Sequence, residues 1–343
     1  MNRPFNYYKN LMLSSLFLLI SLPGISKSTL TALKCDYHVN PIGIDVAQPR
    51  FSWQIVTAEN NFVQQAYEIR VAESPEKLSQ GSKLIWGSGK VNSSESVNVV
   101  YGGPAAKSMQ RVWWQVRIWD PKGKASAWSE PAFWEMGLLT AADWKASWIR
   151  MGQEFDNAVS RPAQFFRKAF SVAKKIKSAR VYVTALGLYE LHLNGKKVGS
   201  DLFTPGWTSY KNRIQYQTYD VTNLLGTKNV LGAVVGDGWY RGNIGFKGQR
   251  SYYGDKSALL AQLEISYADG TTETVATDAN WKTTTGPILE SDIYNGENYD
   301  ARLELTGWDQ AGYADSKWKG ASIYEYAKNQ LIAPQGVPVQ AIQ

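Results

Sequence analysis

Apolar and polar residues alternate in short runs along most of this chain, with a period of two. In residues 49–55 (PRFSWQI), Phe51, Trp53 and Ile55 fall on one side and Ser52 and Gln54 on the other. Residues 66–74 (AYEIRVAES) place Tyr67, Ile69 and Val71 on one face. Residues 111–120 (RVWWQVRIWD) do the same with Val112, Trp114, Val116 and Ile118. Strand side chains point to alternate faces of a sheet, so these runs, bounded by Gly, Pro and Ser clusters, predict half-buried β-strands. Similar runs occupy 179–185, 230–235 and 259–267. Asn194-Gly195 and Asp269-Gly270 sit between alternating runs and predict two-residue hairpins, because these residues tolerate the positive φ of a type I′ turn. Helical periodicity is almost absent. Its exceptions are a short helix opened by Ser74-Pro75-Glu76 and closed near Gly81, and a turn around 220–225.

The runs form two blocks, which makes the expected fold class all-β. Residues 29–139 read as a small sandwich with Trp in an early strand, Tyr in a middle one and an aromatic-rich strand near the end. That order is similar to a fibronectin type III module. Residues 143–327 read as a larger jelly-roll-type β-sandwich. Residues 328–343 contain Pro334 and Pro338, which exclude a helix, and predict an extended tail leaving the second block toward a further domain absent from the chain. Residues 1–26 have the pattern of a signal peptide. Arg3 and Lys9 precede an apolar run at 11–22 that is too short to span a bilayer, and Pro23-Gly24 breaks it. The expectation is an exported protein, periplasmic or extracellular, with no membrane association after cleavage.

Composition adds limits. Hydrophobic content of 44% with 20% charged residues belongs to a folded protein. The 14 Trp and 19 Tyr suit sandwich cores, and any left on the surface suit sugars. The net charge of +7 is scattered, without a basic stripe or a nucleic-acid motif, which argues against nucleic acid as a partner. The single cysteine, Cys35, excludes an intrachain disulfide framework and a cysteine-based zinc site. Lys34 before it argues against lipoprotein processing, so a buried structural thiol is expected. His38 and His192 lie in different blocks, and His192 points away from the face of Leu191 and Leu193, so no triad or metal role is assigned to either.

Chemistry-bearing residues concentrate in a few strings. SDIYNGENYDARLEL (291–305) carries Asp292, Tyr294, Asn295, Glu297, Tyr299, Asp300 and Arg302. Asn295-Gly296 accounts for a turn but not for its neighbours. They form either a surface ion-pair cluster or a functional loop, in which Arg302 could form a buried pair with Asp300 or Glu297. In GDGWYRG (236–242), flanking glycines would project Asp237, Trp239 and Tyr240 from a loop; the alternative is a tight structural loop with Trp239 packed inward. Its glycine spacing is not that of a dinucleotide fingerprint. Trp207 and Tyr210 in PGWTSY are either a binding platform or a loop plug. Asn194 is either a ligand contact or simple turn chemistry.

These strings, together with LKCDYHVNPIGID, PRFSW, ALGLYELHLNGKKVG and TPGWTSYKNRIQYQTYDVT, occur in an order and spacing similar to the N-terminal, non-catalytic portion of bacterial α-L-rhamnosidases. The resemblance covers nearly the whole mature chain. It implies a context of terminal α-L-rhamnose removal, with inversion, from pectin or rhamnosides. Inverting glycosidases set an acid and a base carboxyl about 6.5–9.5 Å apart to admit a water. In this family both come from an (α/α)6 barrel, for which this chain has no helical array, so no catalytic residue is expected here. The resemblance implies rhamnose-containing glycans or rhamnosides as partners, with Asn194, Trp207, Tyr210, Asp237, Trp239 and Tyr240 as binding candidates. It also implies that the 291–305 loop faces a catalytic domain. It admits a calcium ion, which would need six to eight oxygen ligands, with metal ligands unassigned. The alternatives are a subunit docking on a separately encoded barrel, a complete hydrolase, and a truncated, non-functional gene product. An exposed apolar patch is a further expectation.

Overall fold

The alternating runs become strands in the computed structural model, which describes residues 28–154, 156, 159–244 and 248–341. The predicted leader at 1–26 lies outside the described residues. In the first sandwich, a three-stranded sheet (Thr29–Cys35, Arg50–Val56, Val99–Val100) packs on a five-stranded one. The latter is ordered Ile42–Ile44, Ala132–Met136, Arg111–Trp119, Ala66–Ala72, Trp86–Gly87. Phe51 stacks on Trp114 with ring centroids 4.3 Å apart, and Tyr101 and Trp134 meet its edges. Burying each large apolar side chain of this kind contributes about 1.5–3 kcal/mol. The Trp53 Nε1 donates to Gln64 Oε1 at 3.1 Å, so that indole is both packed and satisfied. The helix Pro75–Gln80 forms as predicted, with the Ser74 side chain accepting from Lys77 N and Gly81 closing it at φ +61°. Cys35 is buried, and burial, with Asp36 beside it, pushes its thiol well above the usual range.

Two six-stranded antiparallel sheets face each other in the second, jelly-roll-type sandwich. One runs Lys196–Lys197, Leu188–Leu193, Lys228–Gly236, Gln164–Ser171, Lys282–Thr285, Lys319–Gly320. The other is built from Gln217–Asp220, Ile176–Leu186, Ala258–Tyr267, Ile149–Arg150 and Ser322–Ile323, and Thr272–Ala276 pairs beside Ala258–Tyr267. Ala258–Tyr267 is buried on both faces. Leu259, Ala261, Leu263 and Ile265 face the inter-sheet core. Ala258 and Leu260 face a second cluster formed by loops and containing Trp144, Trp148, Tyr210, Tyr216 and Tyr240. This outer cluster absorbs many of the aromatics and fixes the loops that carry the site.

Of the two predicted hairpin turns, Asn194-Gly195 has both residues at positive φ, +54° and +80°. At Asp269-Gly270 only Gly270 is left-handed, at φ +85°. Asp269 Oδ1 accepts from the Thr271 backbone and hydroxyl instead, which favours a longer loop closed by a glycine over a type I′ turn.

The tail does not leave the second sandwich. Leu331–Ile332 pairs in parallel with Ile214–Gln215, and Leu202 N donates to Val339 O at 2.8 Å. Ala333 N donates to Asp45 Oδ2 of the first sandwich at 2.9 Å. Pro334 and Pro338 keep the segment extended, and the unpaired edge of Ile214–Gln215 gives it backbone partners that a departing segment would lack.

The two sandwiches are joined by buried chemistry. Glu135 accepts from Arg180 Nε at 2.6 Å and Nη2 at 3.2 Å, and from Arg111 Nε at 2.8 Å. Tyr216 OH donates to Leu138 O at 3.0 Å. A Cβ on Gly137 would lie 2.1 Å from that hydroxyl, so the interface demands glycine there.

Candidate carbohydrate-binding groove

Residues 203–207 form a loop pinned to the sandwich edge. Tyr189 N donates to Thr204 O at 2.9 Å, and Thr204 Oγ1 returns a bond to Tyr189 O at 2.8 Å. Gln217 Nε2 donates to Pro205 O at 3.1 Å while its Oε1 accepts from Tyr189 OH at 2.7 Å. With its backbone held, the loop turns Phe203 and Trp207 outward, 50% and 53% exposed. Tyr210 is buried instead and donates from its hydroxyl to Gly206 O at 3.0 Å.

GDGWYRG is not a projecting loop. Gly238–Arg241 is a one-turn helix with Asp237, Tyr240 and Arg241 buried, and only Trp239 reaches the surface. Gly238 sits at φ +52°, where a Cβ would meet Leu188 at 2.5 Å. The glycine therefore serves close packing, which draws its neighbours inward. Burial also holds the Tyr210 and Tyr240 phenols far above their usual range, so both are neutral core groups. Asn194 is fully engaged in its turn: Nδ2 donates to Leu224 O and Asn229 Oδ1, and Oδ1 accepts from Val230 N, each at 2.8 Å.

Of the six binding candidates, the fold brings together Trp207 and Trp239. Their ring planes lie 6° apart with centroids at 5.8 Å, and Phe203 contacts Trp239 at 5.9 Å. They line a groove of about 260 Å³, with Gln215 and Asp201 offering polar groups and Val337 and Val339 of the tail contributing to the lining. Exposed aromatic faces beside amide and carboxylate oxygens match the C–H surface and hydroxyls of a sugar ring.

SDIYNGENYDAR forms the hairpin Ile288–Asp292 and Gly296–Tyr299. Asp292 is its buried anchor. Its Oδ1 accepts from the backbone of Tyr294 at 3.0 Å and Asn295 at 3.2 Å, and its Oδ2 from Asn243 N at 2.7 Å and Arg250 Nη1 at 3.0 Å. Arg250 Nη2 reaches Asp237 Oδ2 at 2.9 Å, where Arg241 Nη1 also donates at 2.8 Å, and Arg161 Nε lies 3.5 Å from Asp237 Oδ1. Burial, with Arg241 close by, lowers the Arg161 guanidinium to about 10. Sequence reasoning missed Arg250 as the bridge between the two strings, since no local spacing relates residues 237, 250 and 292.

The rest of the hairpin is open. Tyr294, Asn295, Glu297 and Tyr299 are exposed, and Tyr299 OH donates to Glu304. Arg302 pairs bidentately with Asp300, but the pair is not buried: the arginine side chain is 89% exposed. That bond, with the Arg302 backbone amide, holds the Asp300 carboxyl below its usual range. A lone ion pair of this kind is stable in water and gains nothing from desolvation. Among the described residues no three His, Cys, Asp or Glu side chains converge as a metal site, and Asp237 and Asp292 are taken up by arginine.

The fold defines a tandem β-sandwich protein, an immunoglobulin-like sandwich joined to a jelly-roll-type one with an aromatic groove on its edge. Residues 30–140 match the family model described as "Rha78A-like, N-terminal immunoglobulin domain", and residues 174–343 match "Alpha-L-rhamnosidase N-terminal domain". An α-L-rhamnosidase of Alteromonas sp. (strain LOR) is 42% identical over 316 residues, covering 89% of this chain and 34% of that protein. One from Formosa agariphila is 39% identical over 308 residues, covering 86% and 33%. The solved structure of Streptomyces avermitilis α-L-rhamnosidase complexed with L-rhamnose superposes with a TM-score of 0.85 at 29% identity, over 92% of this chain and 47% of that one. The chain belongs to the α-L-rhamnosidase family, of which it carries the N-terminal domains. It spans about a third of the length of the curated relatives from Alteromonas and Formosa.

Proposed function

We propose that this chain is the N-terminal, non-catalytic part of an exported α-L-rhamnosidase-like glycoside hydrolase, binding or framing α-L-rhamnosides and docking on an (α/α)6 catalytic domain. The observation that carries the reading is the Trp207–Trp239 pair, held outward by a hydrogen-bonded loop beside a polar-edged groove. Family membership supports rhamnose-containing glycans as the ligand class. Exposed Tyr294 and Tyr299, on a hairpin anchored through Asp292, support the docking surface. The described residues hold only one-turn and two-turn helices, so hydrolysis is assigned to the barrel and not to this chain. Calorimetry tests the reading. L-Rhamnose titrated into the full chain releases heat that Trp207→Ala abolishes, and an isolated α-L-rhamnosidase barrel binds the wild type more tightly than Tyr294→Ala. Absence of heat at millimolar sugar, with and without calcium, overturns the binding role. Rhamnose release by the purified chain overturns the non-catalytic assignment.

A further inference from the structure

The aromatic contacts do not stop at the groove. Phe203 touches Trp239, and Trp239 stacks on Trp207. Trp207 Nε1 donates to Tyr253 OH at 3.1 Å, and Tyr253 meets Tyr252 with centroids 5.0 Å apart at 86°. Three members of this connected series, Phe203, Trp207 and Tyr252, are 50%, 53% and 59% exposed. The series is braced from beneath, since buried Tyr210 packs on both Tyr240 and Tyr253. Ordered, half-exposed rings held on a buried scaffold mark a recognition surface.

From these contacts we infer that the ligand is a glycan chain of several sugar units, with one unit at Phe203–Trp239–Trp207 and a further subsite on Tyr252. This rests on the proposed binding role and adds its length and direction. A single pyranose covers one or two rings; the series continues past Trp207, through Tyr253, to a separate exposed ring at Tyr252. The polar groups left to a ligand are one amide and one carboxylate, Gln215 and Asp201, which suits a hydroxyl-rich chain without fixed positive charge. The Tyr253 hydroxyl accepts from the Trp207 indole N–H, which ties the two subsites together.

The test compares L-rhamnose with a pectin-derived oligosaccharide ending in α-L-rhamnose, titrated calorimetrically into the full chain, Tyr252→Ala, Tyr252→Trp and Trp207→Ala. The oligosaccharide binds wild type more tightly than the monosaccharide. Tyr252→Ala lowers only its affinity, by about two- to tenfold, the range expected for one aromatic contact, and Tyr252→Trp restores it. Trp207→Ala weakens both ligands. Equal affinity for the two sugars, or an oligosaccharide affinity unmoved by Tyr252→Ala, overturns the extended site while leaving the rhamnose reading intact. Absence of binding by either sugar overturns both. If Tyr252→Ala instead weakens binding of the isolated barrel alone, the exposed ring belongs to a protein contact and the glycan subsite is refuted.

Discussion

Removing the Asp292 carboxylate should loosen the hairpin and the groove together. Asp292→Ala deletes the acceptor for three backbone amides and for Arg250, whose guanidinium stays only 10% exposed. Taking one partner from a buried ion pair is destabilising by about 3–5 kcal/mol. Arg250 keeps Asp237, and the Tyr294 and Asn295 amides lie in the exposed hairpin tip, where water can replace the lost acceptor, so the low end, about 3 kcal/mol, is expected. With a urea m-value of about 2–3 kcal/mol/M, the transition of the second sandwich moves down by roughly 1–1.5 M at unchanged m. Asp292→Asn keeps the size but points an amide N–H₂ at donors, so it falls nearly as far. Adding Arg250→Met to Asp292→Ala removes the half-paired cation together with its bond to Asp237, so the two changes depart from additivity by about 0.5–3 kcal/mol. Tryptophan fluorescence and amide exchange of residues 288–299 follow the unfolding. A shift of Asp292→Ala worth less than 1 kcal/mol, or strict additivity with Arg250→Met, refutes the view that one buried bridge links hairpin and groove.

Gly137→Ala places a methyl against Tyr216 OH, so overpacking lowers stability by about 1–3 kcal/mol in thermal unfolding, while Gly123→Ala, whose Cβ meets nothing within 4 Å, escapes that steric penalty and shows only the strain of its φ of +77°. At high pH, Tyr267 is held protonated by burial first and then by its hydrogen bond to Glu273, which raises it from 10.0 to about 12. Its contribution to stability is complete below pH 10 and fades as the pH climbs toward 12. Tyrosinate absorbance and circular dichroism should change together over that window, and Tyr267→Phe should reduce the loss.

Where alternation was strong the strands were legible: residues 50–56, 66–72 and 111–119 fold as their period-2 patterns imply. The pattern could not show which aromatics face inward from loops. Tyr210 and Trp207 are three residues apart, yet one is core and the other half-exposed, because the loop's course is set by Thr204 and Gln217 meeting Tyr189 from other parts of the chain. The carboxylates of the 291–305 string looked equivalent in sequence. The fold sorts them by burial: Asp292 anchors, Asp300 sits in a surface pair, and Glu297 is exposed. Arg250 gave no local signal, since its meaning lies in contacts 13 and 42 residues away. The contacts of the tail were not legible because their partner edge, Ile214–Gln215, is visible only once the strands are placed.

The clamp at Glu135 has a practical corollary. Severing the chain near residue 140, the seam its composition suggests, would strand Arg180 without its bidentate partner on one piece and Glu135 on the other. It would also bare the Tyr216 hydroxyl that Leu138 receives and free Ala333 from Asp45. Each half would carry a surface shaped for the other. For anyone moving this module between enzymes, the transplantable unit is the pair of sandwiches with its strap, carried over as one piece.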